Sequence, residues 1–520
     1  MKIISEKYHP FILFFLFSVI YSLSCTGGVN SGDGSTYSLT KALGETGSPR
    51  INDYIEYTYG VDYADINGNF YLDREPGLSY LSVPFYLTAK IIAPFSSPPY
   101  PGTDSQIGYE GKIQVFTYLT TAVFGALSVV MIYLISRRFS ATILSSLIAS
   151  VIFGLGTLNW KYSAAYFREP VFSSLFLASF YFLILSRLKN LRYLLFSGFL
   201  LGLSLFVDYS KFYLLLFFLI YILFKTVPSV SKKTSVRPAG KKLYSKATIS
   251  MAFLIGLTVM LIIIFYYNDT VFGSPLTNPH LHKTYFQWMR DPKNLFNIPL
   301  IPGIMTNLIN NGPIKAEVLT FFTSHPDIAK QYAVELYHTW SYKGILIQSP
   351  YLVLGFIGLL KLFKNNRFEI IFIFLCSVLI FMVTSKLSVF WGSINQDSRY
   401  FLPVVAMITL GLPFFLDWIF STKNLPIKSS LLLITLFLSL ISVYNGWYSD
   451  LTQFAPDNTG FYRFELKYLQ QPFLSPENFR LLFLNTFPNI FNLPLLIIYA
   501  LLFLGVYLGF CRLRRKYHYQ

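Results

Sequence analysis

Asp33 stands in Ser31-Gly32-Asp33-Gly34, a few residues beyond the first apolar segment of the chain. Its glycine neighbours let the backbone bend towards a ligand. A carboxylate there is placed to take a proton from a hydroxyl, and general-base catalysis of this kind is worth roughly 10²–10⁴ in rate. The residue also precedes a helix-like run from Ser35 to Leu43, so it equally suits an N-cap. Arg74 opens Arg74-Glu75-Pro76-Gly77-Leu78, where Pro-Gly makes a turn. Its guanidinium suits a forked contact with phosphate, or an ion pair with Asp73 or Glu75. Arg168 and Glu169 precede Pro170, which fits the first turn of a helix. Asp208 and Lys211 share the tight turn Asp208-Tyr209-Ser210-Lys211, and Arg399 lies in Ser398-Arg399-Tyr400 just before another apolar run. A charged side chain at the centre of a membrane costs at least about 2.5–3.5 kcal/mol. Charges this close to apolar segments point to a shared polar cavity, or to shallow positions from which they snorkel to water. Tyr37, Tyr71, Asp208 and Tyr400 are the candidates to line a substrate pocket; aromatic rings there would stack on a sugar or anchor at the interface.

The elements that position these residues follow from composition. The chain has 520 residues, 53% hydrophobic and 13% charged, with mean hydropathy +0.49. Soluble domains carry about 25% charged residues. Repeated apolar runs of helix-spanning length make this an all-α polytopic membrane protein. Twelve spans are expected: one near the N-terminus, then 113–135, 141–157, 170–186, 192–207, 212–225, 247–267, 345–362, 368–385, 400–420, 429–445 and 489–511. The start also has the character of a secretory signal peptide. Under either reading, the chain beyond it lies outside the cytoplasm. Residues 77–95 are apolar too, but Pro84 and Lys90 favour a helix lying along the membrane surface.

Charge sets the orientation. The formal net charge is +17, which in a soluble protein would suggest nucleic acid. Here basic residues crowd the short segments 137–138, 187–192, 225–246, 361–367, 423–428 and 512–516, whereas the acids other than Glu6, Glu369 and Asp417 lie in the long segments or in the short turns on their side. That is the positive-inside pattern. It places both termini in the cytoplasm and the segments 26–112, 268–344 and 446–488 outside, so the charge reports topology and contact with membrane lipid, with no nucleic-acid partner. The core is expected to span 1–420, with loops 26–112 and 268–344; residues 421–520 add the last helices and loop 446–488. The sequon Asn268-Asp269-Thr270 falls outside, where it would matter only in a glycosylating compartment. Cys25, Cys376 and Cys511 have neither disulfide nor metal-ligand spacing. His280 and His282 lack convergent partners, Asp53, Asp62 and Asp65 lack an EF-hand pattern, and no P-loop or zinc signature is present. A divalent metal is thus not indicated, and no cofactor is expected.

The order of these motifs along residues 1–420 resembles the GT-C class of polytopic glycosyltransferases, nearest to the protein O-mannosyltransferase and aminoarabinose transferase group. The resemblance rests on Gly32-Asp33-Gly34 after the first span, Arg74-Glu75-Pro76-Gly77-Leu78, Arg168-Glu169, Lys211 and Ser398-Arg399-Tyr400. Tyr342-Lys343-Gly344-Ile345-Leu346-Ile347-Gln348-Ser349-Pro350 is similar to a late-span motif of prokaryotic members. The resemblance implies a GT-C-like fold and an inverting transfer from a polyprenyl- or dolichyl-phosphate sugar to a hydroxyl of a protein, lipid or glycan acceptor. It implies Asp33 as general base, with Glu169 as a second catalytic acid, and Arg74, Lys211, Arg399 and Arg168 as holders of the lipid phosphate. The sequence departs from the pattern in two places: Gly34 stands where mannosyltransferases often have a second acid, and Glu169 adjoins its arginine directly. A twelve-span secondary transporter and a non-catalytic assembly subunit of the same fold are the alternatives.

Overall fold

The computed structural model describes residues 6–25, 27, 29, 31–95, 105–225, 244–315, 317–331, 342–392, 397–451, 486–490 and 492–501. The first helix, α1 (His9–Ser24), leads into α2 (Ser31–Thr46). A hairpin of β1 (Ala64–Ile66) and β2 (Asn69–Tyr71) comes next, in the register Ala64↔Tyr71. Then come α3 (Gly77–Ile92), α4 (Ser105–Thr117), α5 (Leu119–Arg138), α6 (Ile143–Leu155), the short α7 (Asn159–Ser163), α8 (Arg168–Ser186), α9 (Leu191–Val207), α10 (Leu214–Phe224) and α11 (Lys246–Phe272). The second half adds α12 (Leu300–Ile309), α13 (Leu352–Phe363), α14 (Arg367–Ser385), α15 (Leu402–Thr409), α16 (Leu412–Ser421) and α17 (Leu425–Leu451).

Among the described residues, eight helices are long and apolar enough to cross a membrane. Seven coincide with expected spans. The eighth, Gly77–Phe95, is expected on the surface from its sequence, yet it meets the same criteria of length and hydropathy. Four further expected spans form shorter apolar helices, over 143–155, 191–207, 209–224 and 352–363. Two of them, 191–207 and 209–224, match the expected bounds closely, and local caps and turns set three of the helix starts. The Thr142 side chain accepts from Ser145 N and starts α6, the Asn190 side chain accepts from Arg192 N and Tyr193 N and starts α9, and the Asp208 side chain starts the turn that separates α9 from α10. Such side-chain caps satisfy backbone donors left open at a helix start. The last expected span is described only to residue 501.

One apolar core runs through the bundle, from Leu13 and Phe17 of α1 to Phe415 and Ile419 of α16. The long segments between helices are folded as well. Residues of the first pack a small core of Leu39, Ala42, Ile51 and Leu72. The second builds its own core, with Ile298, Ile314, Leu319, Phe322 and Tyr342 packed on Phe390 and Trp391. The two segments are joined at an edge: Ala64 bridges Lys283, Thr284 N donates to Tyr63 O (3.0 Å), and Asp65 N donates to the Thr284 hydroxyl (2.8 Å). The sequon asparagine is enclosed. Asn268 is 2% exposed, and its amide donates to Pro275 O (3.3 Å) and Thr277 O (3.0 Å).

Candidate functional site

Two adjoining cavities lie where these segments meet the bundle. The larger, of about 460 Å³, is walled by the start of α2, the turn before α3, the start of α8, the 208–211 turn, residues 278–296, the end of α14 and the turn Arg399–Phe401. Its lining is mixed: charged, with Arg74, Arg168, Lys211, Lys283, Arg399, Asp62 and Asp208, and apolar, with Phe286, Met289, Leu295, Phe296, Val383, Leu387 and Val389. The smaller cavity, about 40 Å³, shares Gly32, Arg74, Phe167, Arg168, Arg399 and Tyr400 with the larger one and adds Asp33, Glu75 and Glu169.

Asp33 lies in the first turn of α2 and Glu169 in the first turn of α8. Both are buried, at 5% and 3% exposure. The first turn is the positive end of a helix dipole. Asp33 therefore sits inside the helix and not at its N-cap. Gly34 permits this placement, because a Cβ at that position would come within 1.9 Å of Tyr57 O. A side chain there would push the first turn of α2 away from the neighbouring 3₁₀ turn Asn52–Thr58.

Most of the cations already have a carboxylate. Arg74 donates to Asp62 (2.6 Å), Asp73 (3.0 Å) and Gly32 O (3.0 Å). Lys283 pairs with Asp73 and lies 3.7 Å from Asp62. Arg168 pairs with Glu75, and Lys211 with Asp208. Arg399 differs. Its Nε stands 3.3 Å from Glu169 Oε1, but without hydrogen-bond alignment. Among the described residues, its buried Nε and Nη1 have no hydrogen-bond partner. Its Nη2 donates to the Tyr400 hydroxyl (3.2 Å), and rings surround the guanidinium, 4.6 Å from Phe167, 4.9 Å from Tyr400 and 5.7 Å from Tyr162. Behind it, Asp397 accepts from Lys161 (2.7 Å), from the Tyr162 hydroxyl (2.5 Å) and from the Arg399 backbone N (3.2 Å), which fixes the arginine-bearing turn against α7.

Burial disfavours the Asp73 anion, but Lys283 and Arg74 outweigh it and hold the carboxyl well below its usual range. Asp73 is fully buried and Lys283 nearly so. Asp73→Leu removes a carboxylate shared by two buried cations, and is expected to cost about 3–5 kcal/mol of stability; a thermal midpoint unchanged from the parent would show the pair to be dispensable. Burial, reinforced by Lys283 and Arg168, keeps His280 well below its usual range, so it is neutral at pH 7. Both groups lose protons on folding. The stability they support is present at neutral pH and falls on acidification, below about 6.5 through His280 and below about 4 through Asp73. His280→Gln is expected to flatten the loss of stability between pH 7 and 5, by up to about 1.4 kcal/mol per pH unit. Thermal melts of both proteins across that range measure it.

The structure gathers most of the candidates. Asp33, Glu169, Arg74, Arg168 and Arg399 face the small cavity, and Lys211, Asp208 and Tyr400 line one or both cavities. Two of the expected pocket residues are elsewhere. Tyr37 is fully buried in an aromatic cluster with Tyr57, Tyr86 and Tyr166, and its hydroxyl donates to Glu110 (2.5 Å). Tyr71 is tied into β2 opposite Ala64 and is on the wall of neither cavity. Asp73 and Glu75, expected only as ion-pair partners of Arg74, also belong to the site, as do Lys283 and His280, whose sequence context does not mark them for it. Their only signal is charge or a titratable ring inside a long polar segment. Among the described residues, no group of three or more His, Cys, Asp or Glu side chains is placed to hold a metal ion.

No family model matches the chain, and no curated protein matches it. Solved structures similar to it include ArnT from Cupriavidus metallidurans in the apo state, at TM-score 0.40 and 12% identity over 78% of this chain and 59% of that one. The same protein bound to undecaprenyl phosphate gives TM-score 0.42 and 10% identity over 86% and 75% of the two chains. The S. cerevisiae protein O-mannosyltransferase Pmt1-Pmt2 complex bound to the sugar donor gives 0.35 and 14% over 60% and 39%. The chain thus spans 59% of the length of the first of these structures.

Proposed function

We propose that this protein is a membrane glycosyltransferase that moves a sugar from a polyprenyl-phosphate donor to an acceptor hydroxyl on the external face. The observation that carries the reading is the mixed lining of the larger cavity. A lipid phosphate carries charge at one end and hydrocarbon at the other, and that cavity is lined by Arg74, Arg168, Lys211, Lys283 and Arg399 together with seven apolar side chains from residues 286–296 and 383–389. Arg399, with two donor nitrogens unused, takes the phosphate first, with Arg74 and Lys211 around it. The acceptor hydroxyl enters the small cavity beside Asp33.

In the proposed step, Asp33 takes the hydroxyl proton while the acceptor oxygen forms its bond to C1 of the sugar. The C1–O bond to phosphate breaks, and the electron pair leaves on the phosphate oxygen. Attack from the side opposite the leaving group inverts C1. Electrostatic stabilisation of the charge that develops on the departing oxygen is usually the largest contribution to such catalysis. Glu169, beside Arg399, keeps that guanidinium oriented until the phosphate displaces it. The step balances in protons and electrons without a cofactor. The test is incubation of the purified protein in lipid vesicles with labelled polyprenyl-phosphate sugars. Release of polyprenyl phosphate, dependent on protein, supports the reading. Failure to bind any polyprenyl phosphate would overturn it.

A further inference from the structure

The helix α12 carries its burial pattern the wrong way round for a water-facing element. Its inward side is small and polar, with Gly303, Thr306 and Asn307 buried. Its outward side is apolar and four-spaced: Ile301, Met305 and Ile309 are 74%, 48% and 47% exposed. In a helix on a soluble protein the apolar stripe faces the core. The inversion is tied in place. Asn307 donates to Gly303 O (2.9 Å) and to the Ser385 hydroxyl (3.4 Å), and accepts from Tyr342. A Cβ on Gly303 would lie 2.1 Å from Ser385 O, so α12 is pressed directly onto the last residue of α14.

The neighbour identifies what covers the apolar side. The helix α14 is long and apolar enough to cross a membrane, and it too shows a four-spaced exposed stripe, Phe374, Val378 and Met382. That stripe ends at Met382, about one turn before the Ser385 contact with α12. We propose that α12 lies in the membrane plane, with Ile301, Met305 and Ile309 sunk into the boundary between headgroups and acyl chains of the leaflet at the cavity's level. Helices with one apolar and one polar face settle at that depth. Phe296, four residues before α12, is 37% exposed and also lines the cavity. This inference concerns the surface and stands apart from what the cavity binds.

Single cysteines at Ile301→Cys, Met305→Cys, Ile309→Cys and, as a polar reference, Lys293→Cys test it. They are made in the full chain with Cys25, Cys376 and Cys511 replaced by alanine, spin-labelled, and reconstituted into phosphatidylcholine–phosphatidylglycerol vesicles. Power-saturation EPR then compares collisions with oxygen, which partitions into lipid, and with a water-soluble nickel chelate. The expected result is oxygen-dominated collision at the three α12 positions and the reverse at the reference. Nickel-dominated collision at all three overturns the proposal. So does low accessibility to both reagents, which marks a protein partner on that face. Three independent sites keep the test decisive if one variant does not fold.

Discussion

Asp33→Asn is expected to lower sugar transfer by about 10²–10⁴-fold while leaving donor binding intact. The substitution keeps the size and hydrogen-bonding capacity of the side chain in the first turn of α2, so the packing of that turn on the Asn52–Thr58 segment survives. What is lost is a group able to hold the proton that leaves the acceptor. Transfer assayed with a labelled polyprenyl-phosphate sugar, alongside donor binding measured separately, distinguishes the two effects. Wild-type transfer rates in this variant would remove Asp33 from the chemistry and leave Glu169, across the same small cavity, as the residue to examine. Weakened donor binding with an unchanged rate at saturation would instead make Asp33 a binding residue.

Arg399→Met is the second large effect. Methionine keeps much of the arginine's length and its contacts with the surrounding rings, but offers no donor. Removing one partner of a buried, hydrogen-bonded charge pair at an interface costs about 2–5 kcal/mol, so polyprenyl-phosphate affinity is expected to fall roughly 30-fold to several thousand-fold. Lysine in its place recovers only part, because it offers a point charge in place of a planar fork. Lys211→Met should behave differently. Lys211 is already neutralised by Asp208, so its loss leaves a buried carboxylate unpaired and is read mainly in stability. If Lys211→Met weakens lipid-phosphate binding more than Arg399→Met does, Arg399 is not the leading phosphate ligand.

Much of this site is legible in the sequence because its residues sit at the ends of apolar segments. Asp33, Arg168, Glu169, Asp208, Lys211 and Arg399 each adjoin a run that crosses or nearly crosses the bundle. Helix ends on one side of a membrane lie at one height, so charges there converge without any pairing information in the sequence. Lys283 has no such anchor. It reaches Asp73 from 210 residues away, through a segment whose course depends on the bridge between Ala64 and Lys283. Tyr37 misleads for a different reason. A tyrosine among acids and aromatics reads as a sugar platform, yet the same ring fills a core when its hydroxyl finds Glu110. The helix boundaries near Thr142, Asn190 and Asp208 agree with the apolar pattern, whereas Gly77–Phe95, expected on the surface because of Pro84 and Lys90, has the length and hydropathy of a span.

The pairing of Asp73 with Lys283 also bears on how the molecule is made. During synthesis the carboxylate emerges well before the lysine, and the helices α3 to α11 are laid down in between. Until then Arg74 faces Asp62 and Asp73 alone, an acidic surplus that resists leaving water. The first long segment has its own small core, but its Asp73 corner is expected to close only once the second segment has been made. A nascent chain halted before Lys283 would carry an open, protease-sensitive segment over an otherwise formed bundle.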